Sequence, residues 1–314
     1  MVPAVTAALA DADLRRPPSL GIVRRFLASR FVAVSVIVVA IVAVWYVAAA
    51  LLNAPFQREL DGRADADPTI IEFIASTWSQ ERPVLPAPHQ VGQELWKTIV
   101  LTAPDSKRSL VYHGWVTLSS TLLGFALGTL LGVALATAIV HVPSLDKSLM
   151  PWVVASQTIP ILAIAPMVIV VLASIGLTGL LPKAIISTYL SFFPVVVGMA
   201  KGLRSPDPIN LDLMRTYSAT RAQTFWKLRW PSSVPFLFVS MRVAIAASLV
   251  GAIVGELPTG AVAGLGARLL TGSYYGQTVQ IWAALVTASV LAAVLVGIVG
   301  LVQKIVLRRM GIRA

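Results

Sequence analysis

Cysteine is absent from the 314 residues, which excludes disulfide scaffolds, thiolate metal sites and cysteine nucleophiles. Charge is scarce as well. Asp, Glu, Lys and Arg make up 12% of the chain, against 57% hydrophobic residues and a mean hydropathy of +0.81. Such a composition describes a protein whose solvent is mostly lipid. Acids are the scarcer sign, 14 against 25 bases. The resulting net charge of +11 suggests nucleic acid until its placement is read. Arg15, Arg16, Arg24, Arg25 and Arg30 precede the first apolar run. Lys201, Arg204, Arg215, Arg221, Lys227 and Arg229 share one loop, and Lys304, Arg308, Arg309 and Arg313 end the chain. The positive-inside rule makes these three regions cytoplasmic, with lipid rather than nucleic acid as their neighbour. His113 and His141 lie at span ends and His89 in a Pro-rich stretch, without a second ligand at metal spacing, so no metal site is expected. No GxxxxGK[ST] segment occurs, so a P-loop cradling phosphates is missing from the sequence.

What is there is a series of long apolar runs. Residues 1–30 form a basic cytoplasmic segment. Residues 31–52 are too long, and too poorly followed by a cleavage site, for a signal peptide, so they read as a retained first span. Residues 53–109 carry Pro55, Pro68, Pro83, Pro86 and Pro88 with acids that at least balance the bases, as an outside segment should. Within them Ile70, Phe73, Ile74 and Trp78 repeat at helical spacing, predicting a short amphipathic helix at the outer membrane surface. Residues 110–314 hold five further runs of about twenty residues, the length a bilayer core requires, centred near Gly128, Ile164, Tyr189, Ala246 and Val290. The expectation is an all-α membrane protein of six transmembrane helices with both termini cytoplasmic, and the 204–231 loop falls inside without adjustment.

Several features within the spans carry their own physics. Gly124, Gly128, Gly132 and Ala136 lie on one helical face, where small residues let backbones approach closely in lipid; packing within the chain's own bundle is favoured over a dimer seam. Pro151, Pro160 and Pro166 invite a kink or an unwound section in the third span. Glu256 is a solitary acid near the outer end of the fifth span, and an ionisable group at that depth is costly. It could gate the outer mouth, pair with Arg268, or snorkel to the interface. Candidates for a polar pathway are Gln157 and Thr158 beside Pro160, Ser119 and Thr121 on the second span, and Ser187, Tyr189 and Ser191 on the fourth. Gln157 stands out because an amide cannot satisfy itself on its own helix as a hydroxyl can.

The 212–231 segment, DLMRTYSATRAQTFWKLRWP, is polar and basic between apolar spans. Met214, Tyr217, Phe225 and Leu228 fall near one side and Arg215, Arg221 and Lys227 elsewhere, an apolar knob with a basic rim. Either a groove on a partner or anionic headgroups would receive it. The segment resembles the EAA loop of ABC importer permeases: Asp212 stands at the acid, Ser218 at the usual glycine, and Leu228, Trp230 and Pro231 close the pattern, while Leu213 and Met214 replace two alanines. MRVAIAASLVGAIVGE (241–256), GLGARLL (264–270) and SQTIPILAIAPMVIVVLASIGLT (156–178) resemble further blocks of the permeases that serve sulfonate, nitrate, taurine and pyrimidine-precursor importers.

That resemblance implies the type I ABC importer permease fold in a bacterial inner membrane. It implies a second permease copy forming a homodimer, two cytoplasmic ATPase subunits that carry ATP and Mg, and an external binding protein that delivers a small polar or anionic solute. Asp212, Arg215, Tyr217, Ser218, Arg221 and Phe225 would couple the ATPase stroke to the bundle, with no catalytic residue and no cofactor on this chain. Two rival classes are weighed beside it. A secondary transporter would show half-sequence repeats and intramembrane carboxylates, and a membrane enzyme a converging nucleophile and base; neither pattern is found.

Overall fold

The computed structural model describes residues 30–65, 67–258 and 262–311, so most of the basic N-terminal segment expected at 1–30 lies outside the described residues. Among those described, all regular structure is helical. Two compact units meet at the Gln90–Val91 boundary.

In the first unit, α1 spans Arg30–Arg63, extending well past the predicted 31–52 run and through Pro55. The extension holds because its polar side chains find protein partners. Asn53 is fully buried. Its amide donates to the carbonyls of Thr77 and Leu85, both at 2.9 Å, and its oxygen accepts from the Val84 and Leu85 amides at 2.8 and 3.1 Å. Gln80 donates to Gln57 at 3.0 Å, and Glu59 pairs with Arg63 one turn on at 2.6 Å. The predicted amphipathic helix appears as α2, Ile70–Thr77. It opens with a capping box in which Thr69 and Glu72 satisfy each other's free amides. Ile70 is exposed, while the Trp78 indole donates to the Tyr46 carbonyl of α1 at 3.1 Å.

The second unit opens within α3 (Pro88–Trp96) and continues as α4 (Leu110–His141), α5 (Pro143–Ala155), α6 (Ile161–Ser174), α7 (Leu180–Leu203), α8 (Pro208–Thr216), α9 (Arg221–Thr224), α10 (Trp230–Gly255), α11 (Leu265–Tyr274) and α12 (Thr278–Arg309). Five helical stretches among the described residues are long and apolar enough to cross a membrane. The sixth expected crossing, centred on Ile164, is not one rod. α5 with its terminal turn Ser156–Thr158 and α6 form a pair bent by 100°. Pro160 explains the break: it lacks an amide donor and forces Ile159 into an extended conformation, ψ 122°. Pro151 and Pro166 sit inside α5 and α6 without ending them.

α7 is the centre of this unit, packed between α4 and α10. The stripe Gly124, Gly128, Gly132 and Ala136 is buried against it. A methyl at the three glycines would overlap Ser187, Ser191 and Val195 in turn, and Ala136 joins Met199 in one buried cluster. The stripe is therefore an intrachain seam, as the sequence favoured. On α7's other side Gly198 and Gly202 meet Ser240, Ser233 and Phe236 of α10, and Gly251 of α10 meets the backbone at Ser187. Hydroxyls bridge where side chains are too small to fill. Ser187 donates to the Ser248 carbonyl, Ser248 to the Thr121 carbonyl at 2.7 Å, and Ser191 to the Gly124 carbonyl at 3.2 Å. In lipid, such close packing and interhelical hydrogen bonding replace the hydrophobic drive available in water.

Candidate functional site

Two places bring the predicted residues together. The first is the basic bend between α7 and α10. Arg204 leaves α7 and pairs with Asp146 of α5 at 2.9 Å. Pro208 opens α8 at a position where its missing amide costs nothing. Asp212 pairs with Arg215 at 2.9 Å near the end of α8. The chain then reverses through Ser218, whose φ of 51° is left-handed. An ordinary side chain pays for that conformation and glycine does not, which gives a physical meaning to the glycine that the resemblance puts at this position. Thr220 and Gln223 close a second capping box, at 2.8 and 3.2 Å, to start α9 beside Arg221.

A widened turn, Phe225–Arg229, joins α9 to α10. There the expected knob divides. Tyr217 projects from the bend, 77% exposed. Phe225 instead packs on the cluster of Met199, Ala200 and Leu203, with its ring edge-on to His141 at 5.2 Å and to Trp226 at 5.0 Å. Arg229 donates to the Leu203 carbonyl at 3.2 Å. The chain reversal at Ser218 lies between Tyr217 and Phe225, so the two do not share a face as a reading at helical spacing assumes.

The second place surrounds Glu256, which is fully buried and so does not snorkel. Both its oxygens accept from the Thr117 hydroxyl, at 3.0 and 2.9 Å, and one accepts the Gly266 amide at 2.9 Å. Its ion partner is Lys183 at 3.6 Å rather than the expected Arg268, whose charged neighbour is Glu94 and whose Nε has no hydrogen-bond partner among the described residues. Lys183 also donates to the Ala263 carbonyl at 2.9 Å. His113 Nδ1 accepts the Gly264 amide at 3.0 Å, and Thr117 Oγ1 accepts the Leu265 amide at 2.9 Å. Gly264 has a φ of 128° and no room for a methyl beside the Glu256 carboxylate. The segment entering α11 is thus stitched by side chains of α4 and α7 and by the carboxylate at the end of α10. Lys183, Thr117 and His113 were not singled out for this role from sequence, because their partners lie far along the chain.

The expected pathway residues occupy three settings. Gln157 and Thr158 are exposed at the break after α5, and the Tyr189 hydroxyl donates to the Ser156 carbonyl there, tying α7 to the bend. Ser119 lines a cavity of about 730 Å³ between α4, α6 and α7, which Pro258, Val262 and Ala263 also line. Ser187, Ser191 and Thr121 are buried in the helix seam and have no exposed surface.

Long apolar helices packed through a small-residue seam, with a basic bend between two of them, are the build of a multi-pass membrane protein. The chain belongs to the family of binding-protein-dependent transport system inner membrane components, which it matches over residues 128–312. It is similar to a probable ABC transporter permease protein of Haemophilus influenzae, 30% identical over 69% of this chain and 83% of that protein. It is also similar to the riboflavin transport system permease protein RibX of Chloroflexus aurantiacus, 29% identical over 72% and 80%. The formylaminopyrimidine transport permease protein ThiX of Halalkalibacterium halodurans is 33% identical over 58% and 68%. A solved structure of the MetNI methionine ABC transporter in an inward-facing conformation shares the fold, with a TM-score of 0.54, 21% identity and coverage of 64% of this chain and 95% of that one. The protein is therefore a permease subunit of an ATP-driven ABC importer, a transport component whose ATPase is a partner chain. The rival readings, an ion-coupled carrier and a membrane enzyme, give way to that membership.

Proposed function

We propose that two copies of this chain form the membrane part of the importer in a bacterial inner membrane, both termini cytoplasmic, with two ATPase subunits below and a solute-binding protein outside. The 204–231 bend is the handle that the ATPases grip, through Asp212, Arg215, Tyr217, Ser218, Arg221 and the turn held by Phe225. ATP and Mg sit on the ATPases. Their closure on ATP drags the two bends together and swings the permease pair outward-facing, and hydrolysis reverses the swing, as differential affinity for two states requires. Small polar or anionic solutes are the cargo, in keeping with the solutes named for the riboflavin and formylaminopyrimidine relatives.

One observation carries this reading. The bend offers an exposed tyrosine and a basic rim at one end, while Phe225 and Arg229 fasten its other end to the bundle, so a pull on it reaches α7 and α10. A photo-crosslinking residue at position 217 should capture the ATPase chain, and Tyr217→Asp should leave the permease folded while uptake falls at least tenfold relative to ATP hydrolysis. Capture of lipid alone, together with unimpaired uptake in Tyr217→Asp, would remove the bend from the coupling path.

A further inference from the structure

Neither α10 nor α12 contains an acid, and α12 carries Lys304, Arg308 and Arg309 toward its end. Arg242 of α10 reaches into the groove between them. Its guanidinium rests on Gly300 of α12, where a methyl would come within 3.1 Å of Nη2, 3.3 Å of Cζ and 3.4 Å of Nε. Arginine has five N–H donors, yet among the described residues no acceptor meets any of them and no acid pairs with the charge. Gln303, one turn beyond Gly300, is neutral, and its Oε1 is itself without a partner among the described residues. Arg242 is exposed, and so are Val239 and Val243 on α10 and Leu301 and Ile305 on α12. The cation therefore sits within an apolar belt. Gly300 precedes Arg308 by eight residues, about 12 Å along the helix. A bare charge at that depth is costly, and a long side chain relieves the cost by reaching a compensating group at the interface. Gly300, Lys304 and Arg308 follow one another four residues apart on one face of α12, so cations line the groove from Arg242 out to the helix end.

We propose that the groove between α10 and α12 holds the phosphate of an anionic phospholipid, with Arg242, seated on Gly300, as its inner donor and Lys304 and Arg308 as its outer ones. Lipid is the occupant because the surface around the groove is apolar and exposed on both helices, while the charge within it is of one sign. An anionic headgroup meets the cations and its acyl chain lies against the valines. Gly300 admits the guanidinium, and a branched residue there would push it out of the groove. The site is independent of the coupling bend and of the cargo.

The delipidated permease–ATPase complex is titrated with phosphatidylglycerol and with phosphatidylcholine, and bound lipid is counted by native mass spectrometry. Phosphatidylglycerol should bind the more tightly. Arg242→Gln should cut that preference about tenfold, as loss of a hydrogen bond between charged groups requires. Gly300→Val should cut it with every charge retained. Lys304→Gln, at an exposed position, should lower it too, and replaces Arg242→Gln if that variant does not assemble. Lys147→Gln removes an exposed cation of α5 and should leave the preference unchanged. An equal fall there would make the attraction diffuse and overturn the site, as would a preference that survives the loss of both Arg242 and Lys304. A photo-crosslinking residue at position 239, one turn from Arg242 on the same face of α10, should capture phospholipid. Capture of a second permease chain instead would make the groove a seam between copies and overturn the lipid assignment.

Discussion

The Thr117 hydroxyl lies 3.0 and 2.9 Å from the two oxygens of Glu256, 139 residues away in sequence, and the same oxygen accepts the Leu265 amide at 2.9 Å. One small side chain thus joins α4, the end of α10 and the start of α11. Thr117→Val keeps the shape and strands a buried carboxylate and a buried amide, each short of a partner. It should lower stability by about 2 kcal/mol, read as a fall in the thermal unfolding midpoint of the purified permease, whereas Thr117→Ser should stay near the parent.

The seam makes a sharper contrast. Gly128→Ala drives a methyl into Ser191, while Gly297 of α12 has nothing within 4 Å of where its methyl would go. Overpacking costs about 1–3 kcal/mol, and Ala outranks Gly in a helix by about 1 kcal/mol. Gly128→Ala should therefore reduce the yield and melting temperature of folded permease, and Gly297→Ala should leave both unchanged or slightly raised. Equal effects at the two positions would mean that α4 and α7 do not meet through this face.

At the bend, Ser218→Gly should relieve the left-handed backbone and stabilise by about 1 kcal/mol. Ser218→Val should do the opposite and slow uptake more than ATP hydrolysis, since a branched side chain resists that backbone. Unfolding midpoints and coupled uptake measured together check both statements.

In the first unit, hydrogen bonds from the Thr69 backbone, then from its side chain, hold the Glu72 carboxyl below its ordinary range. A depressed folded value means that the ionised carboxylate contributes to the start of α2 above the ordinary glutamate range. The contribution is lost as pH falls through the lower, folded value. Hydrogen exchange at the Thr69 amide, which donates to Glu72 at 2.9 Å, should lose protection over that acidic interval. Glu72→Gln should show no such step.

The lipid-spanning class, the seam on α4 and the break near Pro160 were legible because each is written in local spacing: apolar runs, small residues four apart, a missing amide. The length of α1 was not, since hydropathy ends near residue 52 while the helix runs on through Gln57 and Glu59 to Arg63, supported by partners such as Asn53 that only the folded chain provides. The cost of burying Glu256 could be read from its position, but its partner could not. Arg268 is the near cation in sequence; Lys183 is the near one in space, brought there by packing of α7 that no periodicity encodes. Phe225 was legible as apolar and misread in direction, because a serine at the reversal hides the left-handed turn that a glycine would have signalled.

Backbones interlocked at Gly124, Gly128, Gly132, Gly198, Gly202 and Gly251 cannot slide past one another without collision. If the bend is the handle proposed above, a tug at the basic end of α4, α7 and α10 would be passed as tilt to their far end, where Lys183 and the segment entering α11 sit.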